Sequence, residues 1–442
     1  MDTSSSRRSD SRHLLLLGLM IVAFSAAFYK VAHRPAAASF QIPAIDQKND
    51  AAQAGSAVPG FQTRFVSKQQ NIATHAASLV ELSDGRIRAF WFAGSREGAE
   101  DVEIRTAVYD PAQNAWGPEH SIANRQDTQH ALLRYVKKLG NPVAQRTPDG
   151  RLWLFYVTVS LGGWAGSSIT AITSHDDGTS WSPARRLITS PFINISTLVK
   201  GTPFFYSDGT MGLPVYHEFI GKFGELLRIS GSGEIIDKQR LSSGKSTLQP
   251  VVLIKNPQQA LVLMRRSGNS PKRVLTITTD NAGQRWNAPT ATTLANPDAA
   301  ISGAVLPDGR MLAVLNDLEY GRDALSLAVS ADGGATWKSF YQLEDQRGQP
   351  TGMERYLQVA GELAKASDAS IADVASYAKS AQRNKCAAQR CDFEFSYPYL
   401  IQTRNGDFHL VYTWNRSFIK HARFTRAWLD QHLEKKADAT LH

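Results

Sequence analysis

Short apolar segments separated by tight polar turns recur along most of the chain. The copies read "ASLVELSDGRIRAFWF", "PVAQRTPDGRLWLFYV", "TPFFYSDGTMGLPVY", "PVVLIKNPQQALVLM", "GAVLPDGRMLAVLN" and "PYLIQTRNGDFHLVYTW". Within each arm apolar and small residues alternate or run on, as in strands buried on one or both faces. Five turns carry Asp-Gly or Asn-Gly, at Asp84, Asp149, Asp208, Asp308 and Asn405; the fourth is "NPQQ". Those dipeptides supply the positive φ that a two-residue hairpin needs. Six hairpins at blade-like spacing predict an all-β, six-bladed β-propeller, a ring that closes its own sheet edges.

The last interval is too long for one blade. It holds "TGMERYLQVAGELAKASDASIADVASYAKSAQRN", rich in Ala, Leu, Glu and Lys, which reads as a helical insertion over 345–392 before the last blade. A second repeat follows the hairpins: "SADGGATW" (330–337), "SHDDGTSW" (174–181), "TDNAGQRW" (279–286) and the degenerate "YDPAQNAW" (109–116). Counting strands A to D in a blade places these boxes on the rim that carries the Asp-Gly turns. Their Asp and Ser oxygens suit backbone capping and their Trp suits packing between sheets, so they predict fold rather than chemistry.

The N-terminus departs from this pattern. Arg7, Arg8 and Arg12 precede the apolar run "LLLLGLMIVAFSAAFY" (14–29). Basic flanks before an apolar run place the N-terminus on the cytoplasmic side. The segment reads as a signal anchor or a cleaved signal peptide, with Ser25 and Ala27 as small residues near a cleavage site. The expected organisation is 1–33 basic tip and anchor, 34–59 an Ala/Pro-rich linker, 60–427 the propeller and 428–442 a tail. The expected location is inner-membrane anchored with the propeller in the periplasm, or secreted after cleavage.

The formal net charge is +9, without a long Lys/Arg run or a nucleic-acid motif, which favours an acidic small ligand and no nucleic acid. The two cysteines, Cys386 and Cys391 in "CAAQRC", form a small disulfide loop or remain two thiols. No paired histidines accompany them, so no metal and no cofactor is expected.

Chemistry is expected on the opposite rim, where A strands begin and B–C loops cross. His75, Asn141, Thr202, Gln249, Ser302 and Tyr397 open the A strands, and "NP", "TP", "QP" and "YP" mark four of those starts. The B–C loops add Glu97, Glu100 and Asp101, His217 and Glu218, Arg265 and Arg266, and Asn316, Asp317 and Arg322. The last blade adds Trp414, Arg416, Lys420 and His421. Arg forks match carboxylates, so the set suits an acidic sugar.

On "HAASLVEL", "AFWFAGSREGAEDVEI", "GRDALSLAVSADGGATW", "FSYPYLIQTRNG" and "YTWNRSFIKH" the chain resembles the exo-sialidase superfamily, over roughly residues 60 to 425 without the insertion. The resemblance implies three arginines on a sugar carboxylate, a tyrosine nucleophile activated by a glutamate, and an aspartate acid/base. By position Tyr397 matches the nucleophile, Arg265 (with Arg266 beside it) and Arg322 match two arginines, and Asp101 matches the acid/base with Glu97 as rival. "THAA" puts His75 where the first arginine is expected, and "STLQPVV" offers Gln249 instead of the glutamate. Glu394 and Glu218 are the remaining candidates for that base. The function implied is a retaining exo-glycosidase on an acidic sugar glycoside. The alternatives are a lyase or hydrolase of uronate polysaccharide using His75 or His217 as base, and a non-catalytic, membrane-tethered carbohydrate-binding propeller.

Overall fold

The computed structural model describes residues 4–33, 36–42, 58–190, 193–244, 246–268, 271–348, 352–367, 374–388 and 390–438. Six antiparallel sheets follow one another along the chain, each built around one hairpin of the repeat. The first strands of the blades, Ala73–Glu81, Lys138–Arg146, Leu198–Val199, Thr247–Ile254, Ser302–Val305 and Phe395–Gln402, follow one another around the ring, with blade 3 meeting Thr247–Ile254 through its second strand, Met211–His217. The last blade takes its outer strand from the other end of the propeller. Phe61–Phe65 pairs antiparallel with Phe418–Phe424, so non-local pairing locks the ring.

Apolar side chains fill the spaces between sheets. Trp91, Trp153 and Trp414 are fully buried, and the clusters pass continuously from blade to blade. The boxes cap the ends of third strands. In "SADGGATW" the Ser330 hydroxyl accepts from Gly334 N at 2.8 Å, Asp332 accepts from Thr336 N at 2.9 Å, and buried Trp337 donates to Gly334 O at 3.1 Å. In "TDNAGQRW" Asn281 fills the Asp role, accepting from Arg285 N at 2.9 Å. Replacing Ser330 by Ala strands the buried Gly334 N–H. It is expected to cost about 1–3 kcal/mol of stability in urea titration, with ligand binding at the far rim unchanged.

The insertion is helical as expected. Met353–Ser367 and Val374–Lys385 lie against blade 6, with Tyr377 stacked on Phe418 at 4.3 Å and Tyr356 on Phe393 at 4.5 Å. Cys386 and Cys391 form a disulfide across a small hairpin that follows. A helix, Arg426–Asp438, follows the last blade strand and packs through Trp428 against Phe61 and Phe424.

At the N-terminus a helix spans Ser4–Ala32, and Ser11–Tyr29 within it is long and apolar enough to cross a membrane. Most of the expected linker, residues 43–57, lies outside the described residues. Its described beginning is packed: Phe40 is buried against Phe204 and Tyr206.

Candidate active site

The first strands do more than hold the ring. Register breaks interrupt them at His75/Ser78, Gly140/Val143, Leu248/Val251 and Ser396/Tyr399. At each break one non-glycine residue takes a left-handed backbone: Ala76 (φ 53), Asn141 (φ 42), Gln249 (φ 50) and Tyr397 (φ 55). In three of the four the next residue is proline, which has no N–H to continue the ladder. The bulge re-aims the side chain, and the left-handed φ costs free energy that a site, rather than a ladder, accounts for.

These bulges bring the sequence candidates together. The Tyr397 hydroxyl accepts from Gln249 Nε2 at 3.4 Å and from Arg265 Nη1 at 3.5 Å. Arg265 also donates to Gln249 Oε1 at 3.2 Å and to Asp298 Oδ1 at 2.6 Å. Asn141 and Gln249 both donate to the Tyr216 hydroxyl, at 3.1 and 3.4 Å. The His75 ring lies 4.2 Å from that of Tyr397, and its buried Nδ1 has no hydrogen-bond partner among the described residues. Burial, then Arg416, depresses His75 to about 3, so it is neutral at ordinary pH.

Beside this cluster Glu394 forms a charged hub. It receives Lys385 and Arg416 at 2.9 Å each and the Ser396 hydroxyl at 2.8 Å, with Arg322 at 3.5 Å. Burial opposes its charge, and Lys385 and Arg416 outweigh burial and hold it well below the usual range. Arg416 bridges onward to Glu97 at 2.8 Å. Burial also opposes the charge of Glu97, and the cations Arg416 and Lys138 favour it and hold the carboxyl below its ordinary value. Glu218 moves the other way: burial raises it against the pull of Lys222 and Arg265. Outward from Arg322, Glu394 and Arg416 opens a cleft of about 620 Å³ that reaches Arg390 and the disulfide hairpin.

The domain model for the BNR repeat-like domain matches residues 85–410. This chain belongs to the BNR repeat-like family. The BNR repeat-like chain is similar in fold to the Hadza microbial sialidase Hz136 (16% identity, TM-score 0.59), over 80% of this chain and 66% of that one. It is also similar to a protein of unknown function from Dyadobacter fermentans (11%, 0.60), over 83% and 100%. A third is a Trypanosoma rangeli sialidase mutant displaying trans-sialidase activity (12%, 0.55), over 86% and 60%. No curated protein matches it.

The structure separates the candidates of the BNR repeat-like chain. Tyr397, Gln249, Arg265, His75 and Asn141 form one cluster, Arg322, Glu394, Arg416 and Glu97 the ion-pair network beside it, and Glu218 lies within the field of Arg265; this end of the blades is the mouth. Asp101 serves its own loop, accepting from Ser95 N and Oγ at 2.9 Å each. Arg266, next along the strand from Arg265, turns to Ser246 Oγ at 2.9 Å. Four others correct the reading. His217 stacks on Phe223 at 4.6 Å and accepts from Ile220 N, closing its own hairpin. Asn316 is buried, donating to Ala324 O and Phe395 O. Trp414 is core, edge-on to Phe65. Lys420 pairs with Glu344 between blades 5 and 6.

The site also holds residues that the sequence does not single out: Tyr216, Lys385, Asp298 and Lys200. Asp298 (φ 63) pairs with Arg265 from "NPDAA", just before the blade 5 strand that begins at Ser302 as expected. Lys200, in "VKGTP", is buried with its ammonium donating to Pro398 O at 3.1 Å, 5.9 Å over the Tyr397 ring. Burial alone lowers it to about 7.

The buried histidines predict acid lability. Trp116 donates to His421 Nδ1 at 3.2 Å, so His421 carries its proton on Nε2 and gives it to His409 Nδ1 at 3.0 Å. No further proton fits. Burial depresses His409 to about 3, and His75 likewise, below the unfolded value of about 6.5. A depressed folded value means the unfolded chain binds more protons, so stability is complete above pH ~6.5 and falls as the pH drops below it. The loss expected by pH 5 is about 2 kcal/mol per histidine, read from urea midpoints between pH 5 and 8.

Proposed function

We propose that this protein cleaves the glycosidic bond of a carboxylate-bearing sugar at the Tyr397 mouth. The observation that carries the reading is the Tyr397 hydroxyl, which accepts from two N–H donors, Gln249 and Arg265, the second a guanidinium. Two donors aimed at the phenol oxygen fix its position and orientation, which a tyrosine nucleophile needs. Arg265, Arg322 and Arg416 supply forks for the sugar carboxylate.

The phenol's proton leaves to solvent, Tyr397 Oη bonds to the anomeric carbon as the glycosidic C–O bond breaks, and Glu97 delivers a proton to the leaving oxygen. Water then releases the sugar from Tyr397. Arg416 holds Glu97 ionised in the free protein. A substrate carboxylate that takes Arg416 removes this restraint and lets Glu97 carry the proton, so acid function depends on a charged substrate.

A second reading rests on a different observation. His75 is neutral, buried and without a partner at Nδ1 among the described residues, beside Tyr397, and Gln249 cannot take the phenol's proton. On a uronate polymer His75 would remove the proton α to the carboxylate while Tyr397 protonates the leaving oxygen. The two readings give different products. A fluorinated acidic glycoside is expected to label Tyr397, found by peptide mapping. Label absent across sialoside and uronide probes, with ultraviolet absorbance of an unsaturated uronate rising on polymer, would establish elimination instead. Binding without turnover would leave a carbohydrate-binding propeller. The apolar helix supports membrane anchorage or export, with an acidic glycan as partner.

A further inference from the structure

The segment between the apolar helix and the propeller is stitched to one rim. Phe40 N donates to Pro257 O at 2.8 Å, Gln41 N to Phe205 O at 2.9 Å, and Ser207 N to Ser39 O at 2.8 Å. Arg228 Nη1 reaches Ala36 O at 3.0 Å. The Phe40 ring is 2% exposed and sits in a cluster with Phe204, Tyr206 and Ala282. Tyr206 begins the Asp-Gly turn of blade 3, Pro257 lies in the turn of blade 4, and Ala282 lies in that blade's Asp box. Every one of these partners belongs to the Asp-box rim. Tyr397 opens the strand Phe395–Gln402 at the opposite end, since the Asn405 turn that follows it is on the Asp-box side.

The helix is tied to this seat by a short chain. It ends at Ala32, four residues before Ala36. At ~3.5 Å per residue the helix end stays within about 14 Å of the rim. The blade strands separate the rim from the mouth by about 25 Å, eight residues at ~3.3 Å each. The helix's large apolar side chains, from Leu14 to Phe28, are exposed and cover no part of the propeller.

We infer that the strap Ala36–Ile42 orients the protein on a bilayer, with the Asp-box rim facing the lipid and the Tyr397 mouth facing away. The inference rests on the reading of Ser11–Tyr29 as a retained membrane span. It selects the substrate: the mouth meets glycan standing off the surface, such as a polymer chain, and not the headgroups of the membrane that anchors it.

The test uses the full-length chain in lipid vesicles, without any substrate. Cys386 and Cys391 are disulfide-bonded, so a maleimide dye marks an introduced cysteine. One variant carries Asp208→Cys on the Asp-box turn, the other Tyr320→Cys on an exposed mouth-side loop. Headgroup spin-labelled lipid, a short-range quencher, is expected to quench the dye at 208 several-fold more than at 320. Adding Phe40→Ser is expected to erase that difference while the protein still floats with the vesicles. Equal quenching at both positions, or stronger quenching at 320, in vesicle-bound protein overturns the orientation. Protein that does not float with vesicles overturns the membrane-span reading itself, a separate outcome.

Discussion

Tyr397→Phe is expected to lower kcat/KM on an acidic glycoside by about 10²–10⁴, the range seen when a positioned proton-transfer or nucleophilic group is removed. The loss should fall on kcat. The phenyl ring keeps its packing on His75 at 4.2 Å, and Arg265 keeps its ion pair with Asp298 at 2.6 Å, so ground-state binding of the carboxylate persists. Arg265→Leu should act in the other direction, raising KM first. Gln249→Glu refines the test. It sets a carboxylate at the 3.4 Å position beside the phenol, where the nucleophilic reading needs a base. Hydrolytic turnover should then rise. Under elimination the added charge repels the substrate carboxylate and turnover falls. Unchanged kcat in Tyr397→Phe, with labelled product still forming, would sink the nucleophile assignment.

Local chemistry made the propeller legible. Period-two patterning, Asp-Gly turns and the boxes each act within about ten residues, and each was readable without knowing the neighbours. The closing strand Phe61–Phe65 was not, because its partner Phe418–Phe424 is remote in sequence and "FQTRF" repeats nothing. The same limit governs the site. Pro after Asn141, Gln249 and Tyr397 marks strand starts that cannot continue a ladder, so those three are legible, although their positive φ is not something the proline imposes. In blade 1 the left-handed residue is Ala76 and the useful side chain is its neighbour His75, without a proline to mark it. Lys200 went unseen because one lysine in an apolar run carries no signal of what lies over it.

Rim position alone does not separate side chains that face the site from those that face inward. Successive strand residues face opposite sides, so a rim assignment without parity is right for about half of them. Trp414 ends its strand on the core side, while Arg416, two residues on, sits at φ 53 in the hairpin and reaches the mouth. The insertion explains how that strained loop is held. Asn384 donates to Arg416 O at 3.3 Å and to Ser417 Oγ at 2.9 Å, so the helix pair braces the loop from behind.

Lys420→Met is the variant expected to cost most in stability, about 3–5 kcal/mol, as for one partner removed from a buried ion pair. Lys420 and Glu344 are 6% and 2% exposed and lie in different blades. Tyr412 donates to the same Glu344 oxygen at 2.7 Å; burial, then Glu344, holds the phenol protonated. Methionine fills much of the lysine's volume, so the loss comes from the carboxylate left with the Tyr412 hydroxyl alone, and cavity formation adds little. Glu344→Leu combined with Lys420→Met should recover most of it, because neither buried charge then remains. Urea midpoints of the two single variants and the double variant give the coupling. A domain stable by about 5–15 kcal/mol loses a large fraction in the single variant yet stays folded in the cold, where activity can be compared. Activity there should match the parent, since the pair touches no residue of the mouth. A Lys420→Met protein with an unchanged midpoint and a raised KM would return Lys420 to the substrate.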